Sequence, residues 1–178
     1  MSLTVPPPIG APFWRFWLPQ PPRLACPLGQ IPPDFALRDV THQRTVRLAN
    51  WRGKQPVVLF FHRVVADVVY RPEQYAYLGS INQAYPQFRD VGAEVLVVTN
   101  TVERQGQTMV DDLGLTLPLL SDPMGATFRA YSTGQALGAP LPAQFVLDAQ
   151  GRLRYGHLCS LLHPNAPLET LLEVLERL

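Results

Sequence analysis

Residues 56–61 read PVVLFF, an unbroken apolar run of β-branched and aromatic side chains with no polar alternation. Such a run reads as a strand buried on both faces, the kind found in the middle of an α/β sheet. Glu94 to Thr99, EVLVVT, has the same character. Between the two, Tyr75, Leu78, Ile81, Tyr85 and Phe88 recur at helical spacing and form one apolar stripe. Pro72 suits a first helical position and Glu73 favours a first turn, so the helix is expected to begin there. Pro86 is expected to kink or shorten it.

The flanking segments extend this pattern. Asp34 to Leu37 and Thr45 to Leu48 are short β-like pieces joined by a polar turn. Residues 102–113 read as a helix ending at Gly114. Leu117 to Leu120 reads as a short strand and Ala126 to Tyr131 as a short helix. Ala143 to Leu147 and Leu153 to Leu158 read as strands, and Asp148 to Gly151 between them is a hairpin signal. Pro167 to Leu178 is an amphipathic terminal helix with Leu168, Leu171, Leu172 and Leu175 on one side. The order predicts an α/β three-layer sandwich over residues 33–178, with a central mixed sheet and helices on both faces.

Residues 1–32 differ in kind and are read as an extension. Pro6, Pro7 and Pro8, then Pro19, Pro21 and Pro22, favour an extended backbone. Phe13, Trp14, Phe16 and Trp17 form a dense aromatic cluster on it. Two readings stand: the arm folds over an apolar groove of its own domain, or it forms a homodimer contact. The segment lacks a basic start and an uninterrupted apolar stretch, so it does not read as a signal peptide, and a cytoplasmic location is expected. The net charge of +1 gives no reason to expect nucleic acid or an anionic membrane as partner. No apolar run approaches a membrane span.

Several segments resemble one family. Pro33–Asp34–Phe35–Ala36–Leu37 resembles an opening PDFxL. Val46 and Leu48, with Trp51–Arg52–Gly53–Lys54, resemble a VxLxxxxGK segment. Pro56 to Arg63 resembles the family's central strand, and Phe145–Val146–Leu147–Asp148 with Gly151 an FxID…G hairpin. In this order and spacing they resemble the alkyl hydroperoxide reductase / thiol-specific antioxidant family, a branch of the peroxiredoxins. The resemblance implies a thioredoxin-like fold, thiol-based peroxide reduction and no cofactor. It also implies a cis proline at Pro142, just before the strand at Ala143, beside the active site.

The resemblance further implies a reactive cysteine in the loop after the central strand, at the start of the long helix. A thiolate gains there from the helix N-terminus and from nearby cations. It attacks the peroxide O–O bond and becomes a sulfenic acid. Residues 63–72, RVVADVVYRP, hold no Cys, Ser or Thr. Matching Arg63 and Arg71 to the arginines that flank a C-x-x-C pair in some members puts the first cysteine at Asp67 and the second at Tyr70. A shift of one puts the first at Val68. Pro142 stands where typical peroxiredoxins carry an arginine. The site is therefore expected to be degenerate, because Asp, Val and Tyr do not supply sulfur nucleophilicity. Asp67 is read either as a helix cap or ion-pair partner, or as a residue with other chemistry.

Two thiols remain, Cys26 and Cys159. Cys159, alone or with Cys26, is the alternative redox centre; its place near a strand end offers no helix N-terminus to lower its pKa. His157, Cys159 and His163 form H-x-C-x₃-H, a weak zinc candidate with Cys159 and His157 on one strand face. The alternative is a buried cysteine beside two ordinary histidines. No phosphate loop, G-x-S-x-G elbow or H-E-x-x-H helix occurs. The function expected is a peroxiredoxin-like protein retained for binding or assembly, or else an oxidoreductase with a relocated cysteine. Nothing in the residues names a small-molecule ligand.

Overall fold

The computed structural model describes residues 19–64, 75–136, 138–159 and 165–178. The PVVLFF run forms β3, Val57–His62, and EVLVVT forms β4, Glu94–Thr99. They pair in parallel, Val57 opposite Glu94 through His62 opposite Thr99. The crossover between them ends in helix α1, Ala76–Asp90. Helix α2, Glu103–Leu113, leads on to β5, Leu119–Ser121, parallel to β4.

The hairpin β1, Ala36–Asp39, and β2, Arg44–Arg47, pairs through β1 with β5. On the other side of β3 lies a second hairpin, β8, Ala143–Leu147, and β9, Leu153–Leu158. Seven strands result, in the order β2-β1-β5-β4-β3-β8-β9. A short helix α3, Ala126–Ala130, is followed by a two-stranded ribbon, β6 (Gln135–Ala136) and β7 (Ala139–Pro140). Helix α4, Leu168–Leu175, closes the chain.

Alternation along β3 divides the core. Val58 and Phe60 face α1, α2 and α4, packing with Leu78, Ile81, Phe88, Met109 and Leu171. Val57, Leu59 and Phe61 face the opposite layer, with Phe128 of α3, Tyr131 and Leu48. Phe61 meets Phe128 and Phe145 edge to face at 5.0 and 5.6 Å, the geometry that aromatic quadrupoles favour. The sheet is mixed and covered on both faces, as the sequence predicts.

Several local expectations are corrected. Helix α1 runs through Pro86 to Asp90. Proline removes one intrahelical bond, but Phe88 beyond it is fully buried and packs its ring 6.3 Å from Phe60, which holds the last turn. Helix α2 begins at Glu103 and ends at Gly114 in the left-handed conformation, as expected. Strand β1 starts at Ala36 rather than Asp34, because Asp34 Oδ1 accepts from the amide of Ala49. Strand β5 starts at Leu119 rather than Leu117, whose carbonyl accepts from Thr41 Oγ1.

The bond before Pro142 is trans, and among the described residues no cis peptide occurs. The reversal into β8 is made earlier, by the ribbon β6–β7 with Gly134 and Gly138 at φ +84° and +69°. Leu141 N–H then donates to Gly134 O at 3.0 Å.

Residues 19–32 lie against the domain. Gln20 makes two backbone hydrogen bonds with Gln135, Arg23 N–H donates to Ser132 O, and Gly29 and Gln30 bond Leu153. The aromatic residues Phe13, Trp14, Phe16 and Trp17 lie outside the described residues. Among the described residues no helix is long and apolar enough to cross a membrane.

Candidate functional site

The C-terminal ends of β3 and β4 meet the N-terminal turn of α1 and the entry to β8. Beyond β3 the chain continues through Arg63 to Val64, which is buried. Asn100, just past β4, holds Val64 at both polar atoms. Its Oδ1 accepts from Val64 N–H at 2.7 Å and its Nδ2 donates to Val64 O at 2.9 Å. The side chain thus acts as one further rung of the parallel ladder. Tyr75, also buried, resumes the chain before α1 and packs its ring 5.8 Å from that of His62. Residues 65–74, with Asp67, Val68, Tyr70 and Arg71, lie outside the described residues.

His62 sits opposite Thr99 in the β3–β4 register. Its Nε2 and the Thr99 Oγ1 are buried with no hydrogen-bond partner among the described residues. Burial penalises the charged imidazole and pushes the His62 pKa down to about 4. The Arg63 guanidinium donates through Nη2 to Ala136 O at 3.1 Å, tying the exit of β3 to the ribbon. Burial lowers its pKa as well, and its Nε is buried without a partner.

Cys159 follows β9, and its N–H donates to Pro142 O at 3.1 Å. It therefore lies at the same sheet end as the exit of β3, on the far side of β8. Its thiol is buried and donates to Asn165 Oδ1 at 3.3 Å. Burial pushes the thiol pKa up to about 11. A reactive cysteine needs the opposite, a stabilised thiolate.

The neighbours of Cys159 form a closed polar knot. Gln144 of β8 is buried; its Oε1 accepts from Ala166 N–H at 2.7 Å and its Nε2 donates to Tyr77 Oη. The Tyr77 hydroxyl donates to Ala166 O at 3.3 Å. These bonds fasten α1 and the lead into α4 to the sheet. Burial and the nearby Cys159 raise the Tyr77 pKa.

Cys26 belongs to the other face of the sheet, packed against the cluster of Phe61, Tyr131 and Phe145. Both cysteines are free. Burial raises the Cys26 pKa too. The structure therefore does not bring the two thiols together. His157 pairs with Gln144 across the hairpin and shares a face with Cys159, whereas His163 lies outside the described residues. Among the described residues no group of three His, Cys, Asp or Glu could hold a metal ion.

The comparisons fit this architecture. The AhpC/TSA family model matches residues 28–156, most of the chain. The chain belongs to the AhpC/TSA family. The crystal structure of Enterococcus faecalis AhpC superposes with a TM-score of 0.71 at 19% identity, covering 84% of this chain and 90% of that one. That likeness establishes the peroxiredoxin version of the thioredoxin fold.

Two sequence relatives of this AhpC/TSA chain are named for their compartment. The 2-cysteine peroxiredoxin, chloroplastic, of Chattonella marina var. antiqua is 29% identical over 137 residues, 72% of this chain and 68% of that protein. Peroxiredoxin Q, chloroplastic, of Sedum lineare is 29% identical over 125 residues, 69% of this chain and 64% of that protein. They overturn the cytoplasmic expectation, since similarity points to plastid proteins.

Sequence reasoning passed over Asn100 and gave His62 no role of its own. Neither carries a motif; both matter because two strands end side by side, which is a tertiary fact.

Proposed function

We propose that this AhpC/TSA chain is a peroxiredoxin-like protein that no longer performs the peroxidase step and acts by binding or assembly. The observation that carries the reading is the chemistry of the sulfur at this sheet end. Residues 63–72 offer none, and Cys159, whose backbone bonds Pro142, has a buried thiol with its pKa pushed up to about 11. Peroxide reduction needs a thiolate to attack the O–O bond, and neither Asp67 nor Val68 nor Tyr70 supplies one. Arg63 spends one Nη2 hydrogen on the Ala136 carbonyl.

A peroxide-consumption assay with a thiol reductant tests this. The expected result is a rate equal to the protein-free background. A rate well above it, abolished by Cys159→Ser, would replace this reading with the relocated-thiol one. What favours that second reading is the contact between Cys159 and Pro142; what opposes it is the burial of the thiol.

Residues 1–32 are assigned to an extension of the domain at 33–178, and association of two copies is assigned to the aromatic segment at Phe13–Trp17. Light-scattering mass of the full chain against Trp14→Ser/Trp17→Ser tests it. A dimer in the parent and a monomer in the variant is expected, and equal masses would remove the assignment.

A further inference from the structure

Asn100 also lines an open groove of about 620 Å³, within the range of small-molecule sites. One wall is the strap at Gln20 and Arg23. It is fixed by three backbone hydrogen bonds: Gln20 N–H to Gln135 O, Gln135 N–H to Gln20 O, and Arg23 N–H to Ser132 O. Gly134 lets this wall approach: a Cβ there would stand 2.6 Å from Gln20 O. The facing wall carries Met124, Phe128 and Arg129. Met124 is 59% exposed, a large apolar side chain that nothing covers among the described residues.

Among the described residues, the charged ones that line the groove are Arg23 and Arg129; the neighbouring Asp122 is buried and spends its carboxylate on the amides of Ala126 and Thr127. Neither arginine enters an ion pair among the described residues. Arg129 Nη1 donates to Met124 O at 2.6 Å, which orients its guanidinium at the groove while leaving other N–H groups free. Two guanidiniums over an apolar surface match a planar anionic head joined to an apolar body. Residues 1–18 do not meet that description, because they carry Arg15 and no acid.

We propose that this groove binds an organic anion, a carboxylate or phosphate head on a short apolar body, with Arg23 and Arg129 holding the head and Pro123 and Met124 flanking the body. Asn100 spends one amide hydrogen and its oxygen on Val64, and its second amide hydrogen remains for the ligand. Occupancy is therefore felt at Val64, where the chain leaves β3. The proposal deepens the binding reading by naming a ligand class. Its readout is ligand binding and not peroxide turnover, so a positive peroxidase assay would leave it standing.

The test is calorimetric titration of the full chain with octanoate, octyl phosphate and 1-octanol, with the Val64 amide followed by NMR. Saturable binding of octanoate or octyl phosphate is expected, with 1-octanol about tenfold weaker or absent, and with a shift of the Val64 amide. Binding of one anion only identifies the preferred head. Arg129→Gln is expected to weaken binding about tenfold. Because Arg129 also holds Met124, Arg23→Gln carries the test alone; its side chain makes no hydrogen bond among the described residues, and the same loss is expected. No saturable binding of either anion, equal binding of 1-octanol, or an unchanged affinity in Arg23→Gln overturns the proposal.

Discussion

The side-chain amide of Asn100 completes both hydrogen bonds of the Val64 backbone, accepting its N–H at 2.7 Å and donating to its carbonyl at 2.9 Å. Val64 is buried, so water does not replace either bond freely. Asn100→Ala is expected to destabilise the fold by about 2–4 kcal/mol, the cost of two buried backbone groups left unsatisfied. Asn100→Asp keeps the acceptor and loses the donor, so an intermediate loss is expected. Urea unfolding measures both; an Asn100→Ala variant as stable as the parent would mean that the clip contributes nothing.

Two glycines under the strap make a contrasting pair. At Gly134, φ is +84° and a Cβ would meet the backbone of Gln20 and Pro22 at 2.6 and 2.8 Å. At Gly156, a Cβ would meet the Leu24 Cδ2 at 2.6 Å, the movable end of a side chain that is 42% exposed. Gly134→Ala is therefore expected to displace the strap and cost about 1–3 kcal/mol. The same Cβ would stand 3.3 Å from the buried Phe145 ring; Gly156→Ala is expected to cost less than Gly134→Ala, because Leu24 swings aside and the ring has to give only a few tenths of an ångström. Limited proteolysis at Arg23 reports the difference directly: faster cleavage in the first variant, little change in the second.

His62 links stability to pH. In the unfolded chain its imidazole takes up a proton near the ordinary value of about 6.5, and in the folded chain only near about 4. Between those values the unfolded state binds the extra proton, so stability is full above about pH 6.5 and falls as pH drops toward 4. At about 1.4 kcal/mol per pH unit the loss approaches about 3 kcal/mol. His62→Phe fills the place against Tyr75 without a titrating group. Denaturation midpoints at pH 7 and pH 4.5 are expected to lie closer together in the variant than in the parent; an identical spread would exonerate His62.

The two thiols differ in their surroundings. With its pKa near 11, Cys159 is thiolate in only about one molecule in a thousand at pH 8, and the thiol is buried besides. Cys26 is half-buried on the strap. Disulfide exchange with Ellman's reagent at pH 8 is expected to release one equivalent from Cys26 in the native protein and the second only on unfolding. Fast release of both would show that Cys159 is open to solvent, and would strengthen the relocated-thiol reading.

The central strands were legible because their signals are local. An apolar run without alternation has to be covered on both faces, and β3, β4, β8 and β9 appear where such runs or hairpin signals stand. Gly114 ends α2 because a left-handed C-cap is a property of one residue. Pro86 misled for the opposite reason. Its local effect would shorten the helix, but Phe88 is buried against a distant strand, and tertiary packing carries the helix to Asp90 despite one lost bond. Pro142 misled likewise, because the ribbon ahead of it performs the reversal that a cis bond would have made.

At the candidate site, the amino-acid order alone established that residues 63–72 carry no thiol and that Cys26 and Cys159 are the sulfur nucleophiles available. Only the folded chain decided that these two lie on opposite faces of the sheet, that Cys159 is buried beside Pro142, and that Asn100 reaches Val64 across 36 residues. Residue identity is written in the chain, but desolvation and hydrogen-bond partnership depend on which distant segments meet. Those meetings are set by the packing of the whole sheet, and no window of sequence contains them.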